Sequence, residues 1–163
     1  MFNGFFLTQP SEDTDCTIYA INNLLQVNYK RSDILNLRRR NRKNKLVKLA
    51  WVGEGDGLIV DWYNLLELLV DKKKYMVVPK NPSISINSIL KDTDFFGLIG
   101  NLYPRGITSH GHAISIVKQG PKIFLLDSMK EKPVPLRKND KLLKNIQIFT
   151  IIYKRESNQF ENK

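Results

Sequence analysis

An α+β fold is the class this sequence predicts, with helices first and an antiparallel sheet second. Two observations carry the expectation. In the first half, apolar residues recur at helical spacing, whereas the apolar runs of the second half are short, β-branched and bounded by Gly, Pro and Asn. Helices and strands are therefore segregated along the chain, which is the mark of α+β. No segment repeats.

Residues 16–27, "CTIYAINNLLQV", read as the first helix. Ile18, Ile21, Leu24 and Leu25 form one apolar stripe, Ala20 permits close packing, and Thr14 or Asp15 serves as N-cap. Ser32 caps a second helix, "SDILNL", which runs into "RRRNRKNK" and turns apolar again at "LVKLAW". Residues from about 30 to 50 thus form a helical arm with a charged outer part. "GEGDG" (53–57) is a break, and "LIVDWYNLLELLVDKK" is a third helix with Ile59, Trp62, Leu65, Leu66 and Leu69 on one side. "KYMVVP" is a short buried strand ended by proline. "NPSISINSILKD" fits a capped helix and a loop alike. "FFGLIGNLY" is a strand entering a Pro-Arg-Gly turn, "HAISIV" and "KIFLLD" are strands flanking "KQGP", and "IQIFTIIYK" is the last strand. Residues 1–154 form a single domain and 155–163 a frayed tail.

With 163 residues, 42% of them hydrophobic, the chain can bury a core as one domain. No apolar run reaches the ~18 residues of a membrane span, and "MFNGFFL" is too short, and lacks the basic leader, for a signal peptide. A single cysteine excludes an internal disulfide and suits a reducing compartment, cytoplasm or nucleus. With only His110 and His112 besides, no metal site and no cofactor are expected. The net charge of +10 concentrates in residues 29–48. It fits a nucleic acid, an anionic membrane surface, an acidic partner or a nuclear-localisation patch, or merely a solvated face. No aromatic residue interleaves "RRRNRKNK", which argues against single-strand nucleic-acid binding. The glycines of "GEGDG" do not follow a strand in the phosphate-binding pattern. A monomer is expected.

The hairpin places chemistry. If "KQGP" is a four-residue loop, Val117 pairs with Lys122 and, counting outward, His112 faces Asp127. Directly opposed residues share one face of a sheet, so the carboxylate would fix the imidazole and its tautomer and stabilise the imidazolium. Cys16 opens a helix, and a thiol at a helix N-terminus, met by a histidine oriented by a third group, is an activated nucleophile. Gln9, with the Cys16 backbone N–H, is a candidate oxyanion donor, provided residues 10–15 loop back. Each signal has an ordinary alternative. A lone cysteine is commonly a small core hydrophobe, His112 could simply begin a strand, Asp127 could open the turn "DSMKEKP", and Gln9 could be a loop residue. His110 is the competing histidine. Glu12, Asp13 and Asp15 read as a solvated loop or as a subsite for a cationic tail, and as anions they raise the thiol pKa.

The order Cys, His, Asp is that of papain-like cysteine proteases, and within these the chain resembles the Josephin domain, a deubiquitinase module. The resemblance runs through "CTIYAINNLLQVNYKRSDILNL", where "NNLLQ" follows the cysteine, then "GDGLIVDWYNLLELL" with "KYMVVP", "GHAISIVKQGPKIFLLDSM" and "IQIFTIIYK", covering roughly residues 5–154. It implies Cys16 as nucleophile, His112 as general base and acid, Asp127 in the orienting position that the family often fills with Asn, and Gln9 as oxyanion donor. The Gln9-to-Cys16 segment is longer than the family usually shows, and the charge of the arm is not a family feature. The activity implied is thiol-dependent hydrolysis of (iso)peptide bonds after the C-terminal glycine of ubiquitin or a ubiquitin-like modifier, without a cofactor. Such an enzyme could act in a host cell if the chain is an effector. Two alternatives stand beside it. One is a double-glycine leader peptidase, although Thr17 stands where that family carries glycine. The other is a non-catalytic basic module binding nucleic acid or anionic lipid.

Overall fold

The computed structural model describes residues 1–10, 15–40, 49–51, 58–60, 62–79, 85–103 and 111–155. Among these, helices α1 (Cys16–Leu25), α2 (Arg31–Arg40) and α3 (Trp62–Leu69) lie in the first half and α4 (Ile86–Lys91) near the middle. Two short strands, β1 (Leu49–Trp51) and β2 (Leu58–Val60), pair only with each other. The remaining strands are β3 (Tyr75–Pro79), β4 (Phe95–Leu102), β5 (His112–Gln119), β6 (Lys122–Leu126), β7 (Val134–Pro135) and β8 (Ile146–Lys154). They form one sheet in the order β3-β8-β4-β5-β6-β7, with every pairing antiparallel. The α+β class is therefore the one the chain adopts. No helix among the described residues is long and apolar enough to cross a membrane.

Both faces of this sheet are buried, which is why β4 and β8 read as nearly continuous apolar runs and not as alternating ones. Ala113, Val117, Phe124, Leu126 and Ile152 point to the face covered by α1, α2 and α3 through Ile18, Ile21, Leu24, Ile34, Leu65 and Leu66. Ile114, Ile116, Leu125 and Ile151 point to the other face, where Ile89 and Leu90 of α4 pack together with Leu143. Gly97 sets the distance between α1 and the sheet. A Cβ there would lie 2.5 Å from Leu24 Cδ1 and 2.7 Å from the Ile116 carbonyl oxygen, so α1 can lie this close only over a glycine.

Side-chain amides fasten the N-terminal segment. Gln119 accepts from Asn3 N–H (2.8 Å) and donates to Asn3 C=O (2.7 Å). Gln26 does the same for Phe5 (2.9 and 3.0 Å), and Asn23 for Leu7 (2.7 and 3.1 Å). The N–H of Gln9 continues the alternation, donating to Ser128 C=O at 2.8 Å. Asn22 clamps the loop after α1 likewise, exchanging both bonds with Tyr29. "NNLLQ" is thus a set of amide clamps on α1 that replace missing strand partners.

Several expectations need correction. Helix α2 starts at Arg31, so Ser32 lies in its first turn. The helix start is held instead by Asp33, whose carboxylate accepts from Lys30 N–H at 2.7 Å, the reverse half of a capping box. The arm is helical only to Arg40 among the described residues, and Leu49–Trp51 is a strand. The third helix starts at Trp62, because Leu58–Val60 belongs to β2. Strand β3 is an edge strand with only Val77 buried. "NSILK" is helical, with Ser85 Oγ accepting from Ser88 N–H at 3.3 Å. Arg155 is not frayed: its N–H donates to Lys74 C=O and its Nε to Tyr75 C=O. The rest of the tail, "RNRKNK" apart from Arg40, and "GEGDG" lie outside the described residues.

Candidate active site

Helix α1 begins at Cys16, so the thiol stands at the positive end of the helix dipole. Asp15 occupies the N-cap position, and its carbonyl accepts from Ile18 and Tyr19 N–H. Its carboxylate makes no cap hydrogen bond; it pairs with Arg31 Nη2 of α2 at 2.7 Å. The anion that adjoins the thiol is thereby partly neutralised, which weakens the penalty the acidic stretch would impose. Glu12, Asp13 and Thr14 lie outside the described residues, as does His110.

The hairpin register differs from the one expected. Gln119 pairs with Lys122, Val117 with Phe124 and Ser115 with Leu126, so the loop is the two residues Gly120-Pro121. Gly120 has φ +60°, a conformation that tight hairpin turns need and glycine adopts freely. His112 therefore does not face Asp127 directly. By count, Asp127 falls opposite Ile114, a slip of two residues. Side chains alternate with period two, so an even slip leaves both residues on the same face as diagonal neighbours. The contact survives: His112 Nε2 lies 2.6 Å from Asp127 Oδ1.

With Nε2 held by Asp127, Nδ1 is the ring nitrogen left for the thiol, and His112 is hydrogen-bonded to Cys16. The next residue contributes as well, since Ala113 N–H donates to Cys16 Sγ at 3.5 Å. Asp127 is buried, and its Oδ1 also accepts from Met129 N–H at 3.0 Å. Cys16, His112 and Asp127 thus form one connected chain at one end of the hairpin.

The electrostatics are those of an ion pair. Burial pushes the Cys16 thiol up, but the hydrogen bonds from His112 and Ala113, the imidazolium charge and the Thr17 N–H outweigh it and leave the thiol below its ordinary value. Burial works against the His112 imidazolium, yet the hydrogen bonds to Asp127 and Cys16 and the two negative charges raise it to about 9. Burial likewise opposes ionisation of Asp127, and the hydrogen bonds from His112 and Met129, with the positive charges of His112 and Lys130, hold its carboxyl below the usual range. Each shift favours the charged form of its own group: thiolate, imidazolium and carboxylate.

Gln9 is buried beside this chain. Its N–H donates to Ser128 C=O, and its Oε1 accepts from Ser128 Oγ at 2.8 Å; residues 11–14, between Gln9 and the cysteine helix, lie outside the described residues. Ser128 is a residue that the sequence pattern did not single out, although it adjoins Asp127 in "DSM". One buried hydroxyl, donating to Gln9 Oε1, turns the Nε2 of the Gln9 amide away from itself. Ala113 N–H and Arg31 likewise carry no sign of their role in the sequence pattern. Tyr103 lies against Gly111: a Cβ on Gly111 would lie 2.8 Å from the Tyr103 ring, so that ring covers the chain just ahead of His112. Against known proteins, no family model and no curated sequence matches this chain.

Proposed function

We propose that the chain is a thiol isopeptidase with a papain-like, Josephin-type domain, acting after the C-terminal glycine of ubiquitin or a ubiquitin-like modifier. The observation that supports the chemistry is the Cys16–His112–Asp127 chain, with the nucleophile opening a helix and the base and its orienting carboxylate on the hairpin. The substrate class rests on the Josephin resemblance. In this mechanism Cys16 Sγ attacks the carbonyl carbon after the terminal glycine. The Cys16 N–H and the Gln9 amide hold the oxyanion. His112 passes its Nδ1 proton to the departing lysine amine, leaving a thioester. It then takes a proton from the water that hydrolyses the thioester, releasing the modifier and free thiol. No cofactor enters this scheme.

The test is a ubiquitin carrying a C-terminal electrophile, together with di-ubiquitin cleavage. Wild type should form an adduct, and Cys16→Ala and His112→Ala should not. A folded wild type that neither labels nor cleaves would overturn the reading. Cleavage restricted to double-glycine leader peptides would keep the chemistry and change the substrate.

A further inference from the structure

At the turn end of the β5–β6 hairpin, away from His112, lies a cavity of about 1000 Å³. None of Cys16, His112, Asp127 or Gln9 lines it. Its walls are apolar: Phe2, Phe6, Leu90, Ile123, Phe124 and Leu136, with the Phe2 ring edge-on to Phe124 at 5.4 Å. Lys91, Lys118, Lys122, Lys132, Arg137 and Lys138 also line it, and no acidic residue does. Among the described residues none of these six cations is ion-paired. Lys118 Nζ donates only to a carbonyl, that of Asp92, at 3.2 Å.

We propose that this cavity binds a monoacyl amphiphile with an anionic headgroup, the acyl chain lying on the aromatic and aliphatic walls and the carboxylate or phosphate meeting the lysines. Apolar burial favours the chain, and the uncompensated positive charge favours the anion. The volume stands at the upper end of small-ligand pockets, ~300–1000 Å³. An acidic peptide fits less well. Pro133 and Pro135, at the free margin of β7, also line the cavity, and proline offers no N–H for a peptide main chain to pair with. An acyl chain requires no such partner. This site also accounts for a share of the net charge outside the arm, in "KEKPVPLRK".

The test is calorimetric titration of the whole chain with dodecanoate and with dodecyl phosphate, each below its critical micelle concentration. Saturable one-to-one binding of either anion is expected, and whichever binds more tightly identifies the headgroup. Lys122 and Lys132 are exposed, so Lys122→Glu with Lys132→Glu should fold normally and weaken binding on the order of tenfold or more. Leu136→Trp should obstruct the apolar wall of the cavity and weaken binding. The proposal is overturned if wild type binds neither anion saturably, if the charge reversal leaves affinity unchanged, or if the protein binds only phosphatidylserine vesicles and no monomeric amphiphile.

Discussion

Replacing Asp127 with Asn keeps a group of the same size against His112 and removes only the charge. The amide oxygen can still accept from the ring N–H, so the imidazole keeps its orientation. In the native protein the imidazolium is held up to about 9, against ~6.5 for a free histidine. That gap corresponds to ~3 kcal/mol. The His112 side chain is 21% exposed, so solvent screening brings the usable figure to ~2–3 kcal/mol. Two neighbours hold the charge, and Asp127 acts more strongly than Cys16. Burial still opposes the charge once Asp127 no longer offsets it, so the Asn variant should lose more than half, ~2 kcal/mol, and its imidazole should titrate at least about one pH unit lower. The thiol, deprived of imidazolium, should ionise at higher pH. Proton NMR of the ring follows the first effect. Thiolate absorbance and iodoacetamide alkylation follow the second, without interference, because Cys16 is the sole cysteine. The stability effect has a definite sign. The raised His112 value means that its contribution is complete below ~6.5 and is lost as pH rises through about 9. The contribution of Asp127 is complete above ~3.9 and is lost as pH falls through its depressed value. The difference in unfolding free energy between native and variant should peak between these limits and shrink above neutrality. An Asn variant whose imidazole still titrates near the native value of about 9, with an unshifted thiol, would refute the ion-pair reasoning.

Three further substitutions probe the support around the site. Ser128→Ala removes the donor to Gln9 Oε1 and should lower stability by ~1–2 kcal/mol in denaturant titration; if Gln9 holds the oxyanion, single-turnover acylation should fall while substrate affinity is kept. Gly97→Ala drives a methyl into Leu24 and the Ile116 carbonyl and should destabilise by ~1–3 kcal/mol, read as a lowered thermal midpoint. Ser115 is fully buried, and among the described residues its hydroxyl has no hydrogen-bond partner. Ser115→Ala should therefore be neutral or stabilising by up to ~1 kcal/mol, and a clear loss in the same melting assay would contradict this.

The chain order of helices and strands was legible because long apolar patterns report burial directly. The His112–Asp127 pairing was legible for a subtler reason. The loop is two residues shorter than the sequence suggests, since Lys118 and Gln119 are polar and look like loop although they are paired in β5. Period-two alternation tolerates an even error, whereas an odd one would have separated the pair. Strands β1 and β2 were illegible because three residues show no period. "LIV" also continues the i, i+3, i+4 spacing of α3, so it reads as helix. Hydrophobicity in "YMVV" does not say whether a strand is central or at an edge, and β3 is at an edge. The amides of "NNLLQ" carry no local sign of their partners, because Phe5 and Leu7 lie far away in sequence. Ser128 was invisible for the same reason.

The amide-fastened N-terminal segment also has a mechanical meaning. In a strand ladder, neighbouring bonds are sheared together. Here each clip stands on its own side chain: Gln119 from β5, then Gln26 from the C-cap of α1 and Asn23 from α1 itself. The clips at Asn3 and Phe5 are exposed, the one at Leu7 is part-buried, and the Ser128–Gln9 bond is buried. A load applied ahead of Asn3 would thus open the segment tooth by tooth, from the wettest clip inward, and would reach Gln9 last. The main-chain ladder of the sheet would stay paired meanwhile, loaded only through the Gln119 side chain.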